Sequence, residues 1–139
     1  MNFTIIYVDD DKFMRVFFTT YFEKKFNIIL CDSAYSAADY LKNHSLPDLM
    51  LLDLVLPEKD GATFLEEMKA DSELSNIPVI ILSGTDKSET RIKLFKMGAE
   101  DFIMKPFNPE ELSLKIEKFL LKKQRLFNES SKIMNDTLK

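Results

Sequence analysis

Five short apolar runs set the architecture: Phe3–Val8, Asn27–Cys31, Leu49–Leu52, Val79–Leu82 and Phe102–Met104. In most of them apolar residues follow one another instead of alternating with polar ones, as in strands covered on both faces of a parallel sheet. The runs end near residues 8, 31, 52, 82 and 104, so successive ends lie 23, 21, 30 and 22 residues apart. A parallel connection needs a crossover, and each interval has room for one helix. Helical spacing is present where it is needed, in Met14, Phe18, Tyr21 and Phe22, in Leu65 and Met68, and in Leu94 and Phe95. Asn108-Pro109-Glu110-Glu111 starts a helix, with a cap residue, Pro at the first helical position and acids in the first turn. Gly98 can close the helix before the fifth strand. The pattern predicts an α/β chain, a single doubly wound (βα)5 domain with a five-stranded parallel sheet.

Composition narrows the function. The 139 residues, 45% hydrophobic and 30% charged, suit one globular domain. A net charge of −4, from 19 Lys and Arg against 23 Asp and Glu, leaves no basic footprint for nucleic acid and no polybasic membrane anchor. No apolar run approaches the ~18–20 residues that span a bilayer. The start, Met1-Asn2-Phe3-Thr4, lacks a positive region and leads straight to Asp9-Asp10-Asp11, unlike a signal peptide, so a cytoplasmic chain is expected. One Cys (Cys31, expected as a small buried hydrophobe) and one His (His44, expected at the surface) exclude an internal disulfide and multi-histidine or multi-cysteine metal sites.

Chemistry gathers where the strands end. Strand one runs into Asp9-Asp10-Asp11, strand three into Asp53, strand four into Ser83-Gly84-Thr85 and strand five into Lys105-Pro106. In open α/β sheets the ligand crevice lies beyond the carboxyl ends of the strands. If strands one and three are neighbours, their ends sit ~4.8 Å apart and Asp10 and Asp53 can touch one ion. Asp9, Asp10 and Asp53 with Lys105 leave the crevice at −2. Clustered carboxylates raise their pKa values or bind a cation. Hard oxygen donors in this number suit Mg²⁺, with Asp53 kept ionised as a nucleophile toward a phosphoryl group. Lys105 and Ser83 can each bond a phosphoryl oxygen, and Gly84 leaves space beside them.

Taken singly, these residues also have plainer readings. Asp9-Asp10-Asp11 can be a solvated turn, and Asp11 is expected as the cap of the next helix. Ser83 alone is a common turn residue, Lys105 a surface charge and Phe102 core packing. Asp53 inside Leu52-Asp53-Leu54 is harder to place, because an unpaired buried charge is costly. Phe13 and Phe17 are expected in the core, with a contact patch on the first helix as the alternative. Pro57 and Gly61 are expected to shape the loop after Asp53.

In their order along the chain these motifs strongly resemble the receiver domain of two-component response regulators, the chemotaxis-response-regulator type included. The resemblance covers roughly residues 3–121. It rests on Tyr7-Val8-Asp9-Asp10-Asp11, on Leu51-Leu52-Asp53-Leu54-Val55-Leu56-Pro57 with Asp60-Gly61, on Ile81-Leu82-Ser83-Gly84, on Gly98-Ala99-Glu100-Asp101-Phe102 and on Lys105-Pro106-Phe107. It implies a flavodoxin-like strand order 2-1-3-4-5, Asp53 as phosphoacceptor, and Mg²⁺ held by Asp9, Asp10, Asp53 and the backbone carbonyl of Val55. It also implies Ser83 as switch hydroxyl, Lys105 as the lysine that pairs with the phosphoryl group, Phe102 as the aromatic switch and a cis Lys105–Pro106 bond. Phe102 lacks the hydroxyl of the Tyr often found there, so it can signal only by ring packing. Val55 and Thr85, two residues past Asp53 and Ser83, would flank attacking water, and Val55 offers nothing to orient it.

The function so implied is a phosphorylation-activated switch in a bacterial, cytoplasmic phosphorelay, with self-catalysed phosphoryl transfer and dephosphorylation but no turnover enzyme activity. A sensor histidine kinase, phosphotransfer protein or small phosphodonor would supply the phosphoryl group. The surface of the fourth helix, fifth strand and fifth helix, with Arg91, Ile92, Phe95 and Glu111, would then engage a downstream protein, an output domain or a second copy in a phosphorylation-dependent homodimer. No direct nucleic-acid or membrane partner is expected. The competing enzyme class is an aspartyl-phosphate phosphohydrolase of the haloacid dehalogenase type, which needs a second Asp two residues after the first, where this chain has Val55. A dinucleotide module lacks its glycine-rich loop after strand one.

Residues 1–121 are thus expected to form the receiver domain and 122–139 a C-terminal helical extension or linker. In that tail Phe119, Leu126 and Ile133 repeat at seven, as do Leu120, Phe127 and Met134. The positions three and four further on are polar, against an a/d coiled coil. A narrow amphipathic helix fraying after about Asn128 is expected, with a disordered tail or linker as the alternative.

Overall fold

A computed structural model describes residues 2–138, without the side chain of Leu138. Five strands, β1 (Thr4–Val8), β2 (Asn27–Cys31), β3 (Leu49–Asp53), β4 (Val79–Ser83) and β5 (Asp101–Met104), alternate with α1 (Lys12–Phe22), α2 (Ala34–Asn43), α3 (Gly61–Ala70), α4 (Ser88–Lys96) and α5 (Pro109–Leu138). All pairings are parallel and the order is β2-β1-β3-β4-β5. This is the doubly wound flavodoxin-like arrangement. β3 and β4 are buried along their whole length, which explains their unbroken apolar runs. The long interval between β3 and β4 holds an extended loop, 54–60, before α3 and a 3₁₀ turn, Leu74–Asn76, after it. There the Lys69 ammonium donates to the Ser75 and Ile77 carbonyls at 3.2 and 3.1 Å.

Side chains one apart along a strand point to opposite faces. On one face Ile6, Val8, Met50, Leu52, Val79 and Ile81 join a core with Ala37 and Leu41 of α2, Phe64, Leu65 and Met68 of α3, and Leu94 of α4. On the other, Tyr7 stacks on Phe18 of α1 at 4.5 Å between ring centroids, and Phe18 packs on Phe22 at 4.7 Å. Phe13 and Phe17 do not join this core: Phe13 is 74% exposed and Phe17 more than a third. Seven of the eleven α1 residues are large and apolar, so its sequence does not single out one inner face. Only Phe18 and Phe22 are turned fully inward.

Caps fix the helix starts. Asp11 accepts from the Phe13 and Met14 N–H groups, Ser33 forms a reciprocal capping box with Ser36, and Asp60 accepts from Thr63. Gly98, at φ +109, follows the end of α4. The described residues form two compact units, up to Phe107 and from Asn108 on. The second is α5, opened by Asn108, whose side chain accepts from the Glu110 and Glu111 N–H groups at 2.9 and 3.1 Å. It does not stop near Asn128 but continues to Leu138. No Gly or Pro interrupts the sequence after Pro109, and Lys, Glu, Gln, Arg and Leu sustain a helix well. No helix among the described residues is long and apolar enough to cross a membrane.

Candidate functional site

The parallel sheet sends every strand in one direction, so its carboxyl ends share one rim. β1 lies against β3 with Val8 beside Leu52, so Asp9 and Asp53, each the next residue, come out side by side. Asp53 and Ser83 are the last residues of β3 and β4 themselves, not the first residues of the following loops. Backbone pairing continues past β5, where the Lys105 N–H donates to the Ser83 carbonyl at 2.7 Å and draws the lysine to the same rim. Oxygen atoms from Asp9, Asp10 and Asp53 lie within 4.8 Å of one another. The Lys105 ammonium bridges two of these carboxylates, at 3.0 Å from Asp9 Oδ2 and 3.0 Å from Asp53 Oδ2.

The three carboxylates differ in freedom. Asp9 is fully buried. Its Oδ1 accepts the Asp11 N–H at 2.9 Å, and its Oδ2 accepts the Tyr7 hydroxyl at 2.7 Å in addition to Lys105. Arg15 also donates to the Asp9 carbonyl at 2.7 Å. Asp53 is nearly buried and accepts the Val55 N–H at 3.2 Å. The Asp10 side chain is exposed and makes no hydrogen bond or ion pair among the described residues. Burial is the chief reason the Asp53 carboxyl is pushed up to about 6; the Lys105 hydrogen bond opposes this and the Asp9 charge adds to it. Burial works to lower the Lys105 pKa, but hydrogen bonds and charge from Asp53 and Asp9 outweigh it, so it is raised. The two shifts thus have different leading causes: burial for Asp53, and the bonds and charges of Asp53 and Asp9 for Lys105. Burial, then Asp9, drives the Tyr7 hydroxyl well above the ordinary range, so it remains a donor.

A concavity lined by Asp10, Asp11, Asp53, Val55, Gly84 and Lys105 opens over the cluster. A Cβ on Gly84 would meet open space. Gly61 is different, since a Cβ there would collide with the Asp53 carbonyl oxygen and come within 2.9 Å of Leu54 Cα. Its N–H donates to the Leu54 carbonyl at 2.9 Å, folding the loop back beneath Asp53. Ser83 is buried, and its hydroxyl oxygen accepts the Thr85 N–H at 3.1 Å. The Phe102 ring is buried in the core with Leu94 and Ile81. Val55 stands 73% exposed on the rim, and the Lys105–Pro106 bond is cis.

The structure therefore brings together Asp9, Asp10, Asp53 and Lys105, with Ser83 at the end of β4, Val55 two residues past β3 and Phe102 in the core behind. Tyr7 and Arg15 were not anticipated. For Tyr7 a signal was available: it carries a hydroxyl inside an apolar run, and the two-residue period of a strand puts it on the same face as Asp9. Arg15 gave no such signal, because its contact depends on how α1 lies over the Asp9 backbone.

Comparison with known proteins agrees with this geometry. Residues 5–117 match the response regulator receiver domain family. Response regulator Rre1 of Synechocystis sp. is 31% identical over 123 residues, 87% of this chain and 53% of that protein. Histidine kinase P4 of Formosa agariphila is 32% identical over 123 residues, 88% of this chain and 9% of that protein. The chain thus spans about half the length of Rre1 and a small part of the kinase. The receiver domain of Francisella response regulator 1452 superposes with a TM-score of 0.80 at 29% identity, covering 88% of this chain and 99% of that one. A CheY-like receiver protein from Methanospirillum hungatei gives 0.81 at 25% identity, covering 90% and 98%. A sheet of this order, an acidic rim bridged by one lysine and a family match over most of the sequence lead to one assignment: the chain belongs to the response regulator receiver domain family.

Proposed function

We propose that residues 1–121 act as a phosphorylation-gated switch, with Asp53 as phosphoacceptor and residues 122–139 as an extension. A carboxylate oxygen of Asp53 attacks phosphorus, and the bond from phosphorus to the donor (a phosphohistidine nitrogen of a kinase or phosphotransfer protein, or a small acyl phosphate) breaks. The observation that carries the reading is the convergence of three carboxylates and one ammonium where parallel strands end. Their hard oxygen donors fit Mg²⁺, held by Asp9, Asp10, Asp53 and the Val55 carbonyl. When bound, Mg²⁺ supplies the positive charge that a phosphoryl group needs in so acidic a crevice. Asp10 is the carboxylate with its oxygens uncommitted, while Tyr7, Lys105 and the Asp11 N–H hold Asp9 in place. Lys105 already touches Asp53 and moves its contact to a phosphoryl oxygen.

The Ser83 hydroxyl, free to donate while its oxygen accepts from Thr85, bonds a second phosphoryl oxygen. Its movement leaves room for Phe102 to repack, which alters the α4 and β5 surface where Ile92 and Phe95 are exposed. Moving a population from 1:99 to 99:1 takes about 5.5 kcal/mol of differential stabilisation. Two charge-assisted bonds at ~1.5–3 kcal/mol each approach that. A repeated phosphohydrolase cycle is disfavoured, because Val55 stands where a second acid would be required. The site accordingly serves a signalling role in the cytoplasm, downstream of a histidine kinase.

The test is incubation with acetyl phosphate, with and without Mg²⁺, read by intact mass. Wild type is expected to gain one phosphoryl group only with Mg²⁺, and Asp53→Asn none. Modification that persists in Asp53→Asn would end the reading.

A further inference from the structure

The last seventeen described residues of α5 carry an apolar stripe that the switch does not use. At 100° per residue, Ile133, Leu126, Thr137, Ser130, Met134 and Phe127 fall in an arc of about 120°, with Lys123 the one charged residue inside it. Leu126, Phe127, Ile133 and Met134 are each between 52% and 66% exposed. Grouped exposure of this kind on one helix face marks a contact surface. The small Ser130 at its centre allows another helix to approach closely.

Charge identifies the occupant. Lys122, Glu129 and Asp136 repeat at seven along one flank of the stripe, while Gln124 and Ser131 line the other. Residues 122–128 hold three cations and no anion; residues 129–136 hold two anions and one cation. When two copies of the helix run antiparallel, like flanks face each other. Leu126 of each copy then meets Ile133 of the other, and Lys122 meets Asp136 twice, against one approach of Glu129 to Glu129 at the centre. In a parallel pair the charged flank would face the neutral one and Lys122 would have no anion opposite. We infer that residues 122–138 of α5 pair antiparallel with the same segment of a second copy of this chain. No a/d heptad seam is required, since the contact is one short crossing about 25 Å long. It involves none of the phosphoacceptor residues and is independent of the proposed switch.

Sedimentation velocity on the full chain tests it, at concentrations up to about 200 μM. Wild type and Asp53→Asn are expected to double in mass alike. Leu126→Glu with Ile133→Glu should remain monomeric while circular dichroism shows the domain still folded. Lys122→Glu should weaken association about tenfold, and adding Asp136→Lys should restore it. A wild type that stays monomeric throughout, or a double glutamate variant that associates as well as wild type, overturns the proposal. So does a charge swap that fails to rescue, because that pairing exists only in the antiparallel arrangement.

Discussion

Tyr7 shows how much one residue contributes to the acidic rim. Its ring stacks on Phe18 and its hydroxyl donates to a fully buried carboxylate at 2.7 Å. A hydrogen bond to a buried charge is worth about 1.5–3 kcal/mol. Tyr7→Phe keeps the ring and should lower the unfolding free energy by that amount in urea titrations, with an unchanged m-value. Tyr7→Leu should cost more, because the stack is lost as well. Val55 gives a kinetic prediction. Its side chain is exposed on the rim and has no polar atom to direct water at a phosphoryl group on Asp53. If Asp53 is the phosphoacceptor as proposed, phosphorylated wild type should therefore persist, and Val55→Asn should release phosphate up to about tenfold faster, the rate equivalent of ~1.4 kcal/mol. Phosphate release timed in both proteins decides it, and a shorter wild-type half-life refutes the argument. Asp53 was legible in the sequence because an ionisable residue inside an apolar run has few structural uses. Tyr7 is less legible, because a hydroxyl two residues before Asp9 becomes informative only once the strand is placed.

At the scale of elements, the loop from β3 to α3 and the start of α4 make a contrast. Gly61 sits against backbone atoms of Asp53 and Leu54, which cannot move aside as a flexible side chain would. Gly61→Ala should cost about 1–3 kcal/mol and displace Asp53, whereas Gly84→Ala, facing open space, should stay within about 0.5 kcal/mol. Thermal melts of the two variants side by side check this. Side chains cap α1, α2, α3 and α5, but the residue before α4, Lys87, makes no side-chain cap, and Leu94 is the one buried residue of α4. Few buried contacts and an uncapped end place a segment at the low-stability end of a fold. Amide exchange should therefore be faster in α4 than in α3. Strands β1, β3 and β4 are legible because continuous burial writes continuous hydrophobicity; the edge strands β2 and β5 are legible from their apolar runs although they are partly exposed. The inner face of α1 was misread at Phe13 and Phe17, since apolar residues surround that helix and periodicity alone cannot choose a side.

For the whole molecule, the acidic rim couples folding to pH and, on the proposed function, to Mg²⁺. The Asp53 carboxyl has an ordinary value of 3.8 and is held at about 6 in the folded chain. The folded state therefore binds this proton more tightly than the unfolded state, and stability falls as pH rises from about 4 to 6. Above that window the ionised group opposes folding by about 1–2 kcal/mol, after discounting for solvent screening. Without Mg²⁺, Asp53→Asn should thus melt higher than wild type at pH 8 and lose that advantage near pH 4. Excess Mg²⁺, binding only the folded wild-type site, should narrow or reverse the gap at pH 8, by about 2.7 kcal/mol at a hundred times its Kd. Melting curves at the two pH values, with Mg²⁺ and with chelator, measure it.

The sequence by itself determined the alternation of strands and helices, the direction of the sheet and the identity of the polar residues at its rim. Burial on two faces and crossover length are local properties of a chain. Only the tertiary structure decided that Lys105 bridges Asp9 and Asp53, that Tyr7 holds Asp9 while Asp10 stays free, and that Phe18 and Phe22 of α1 turn inward while Phe13 and Phe17 turn outward. Those outcomes depend on distances between residues far apart in the chain, which packing sets and periodicity does not encode.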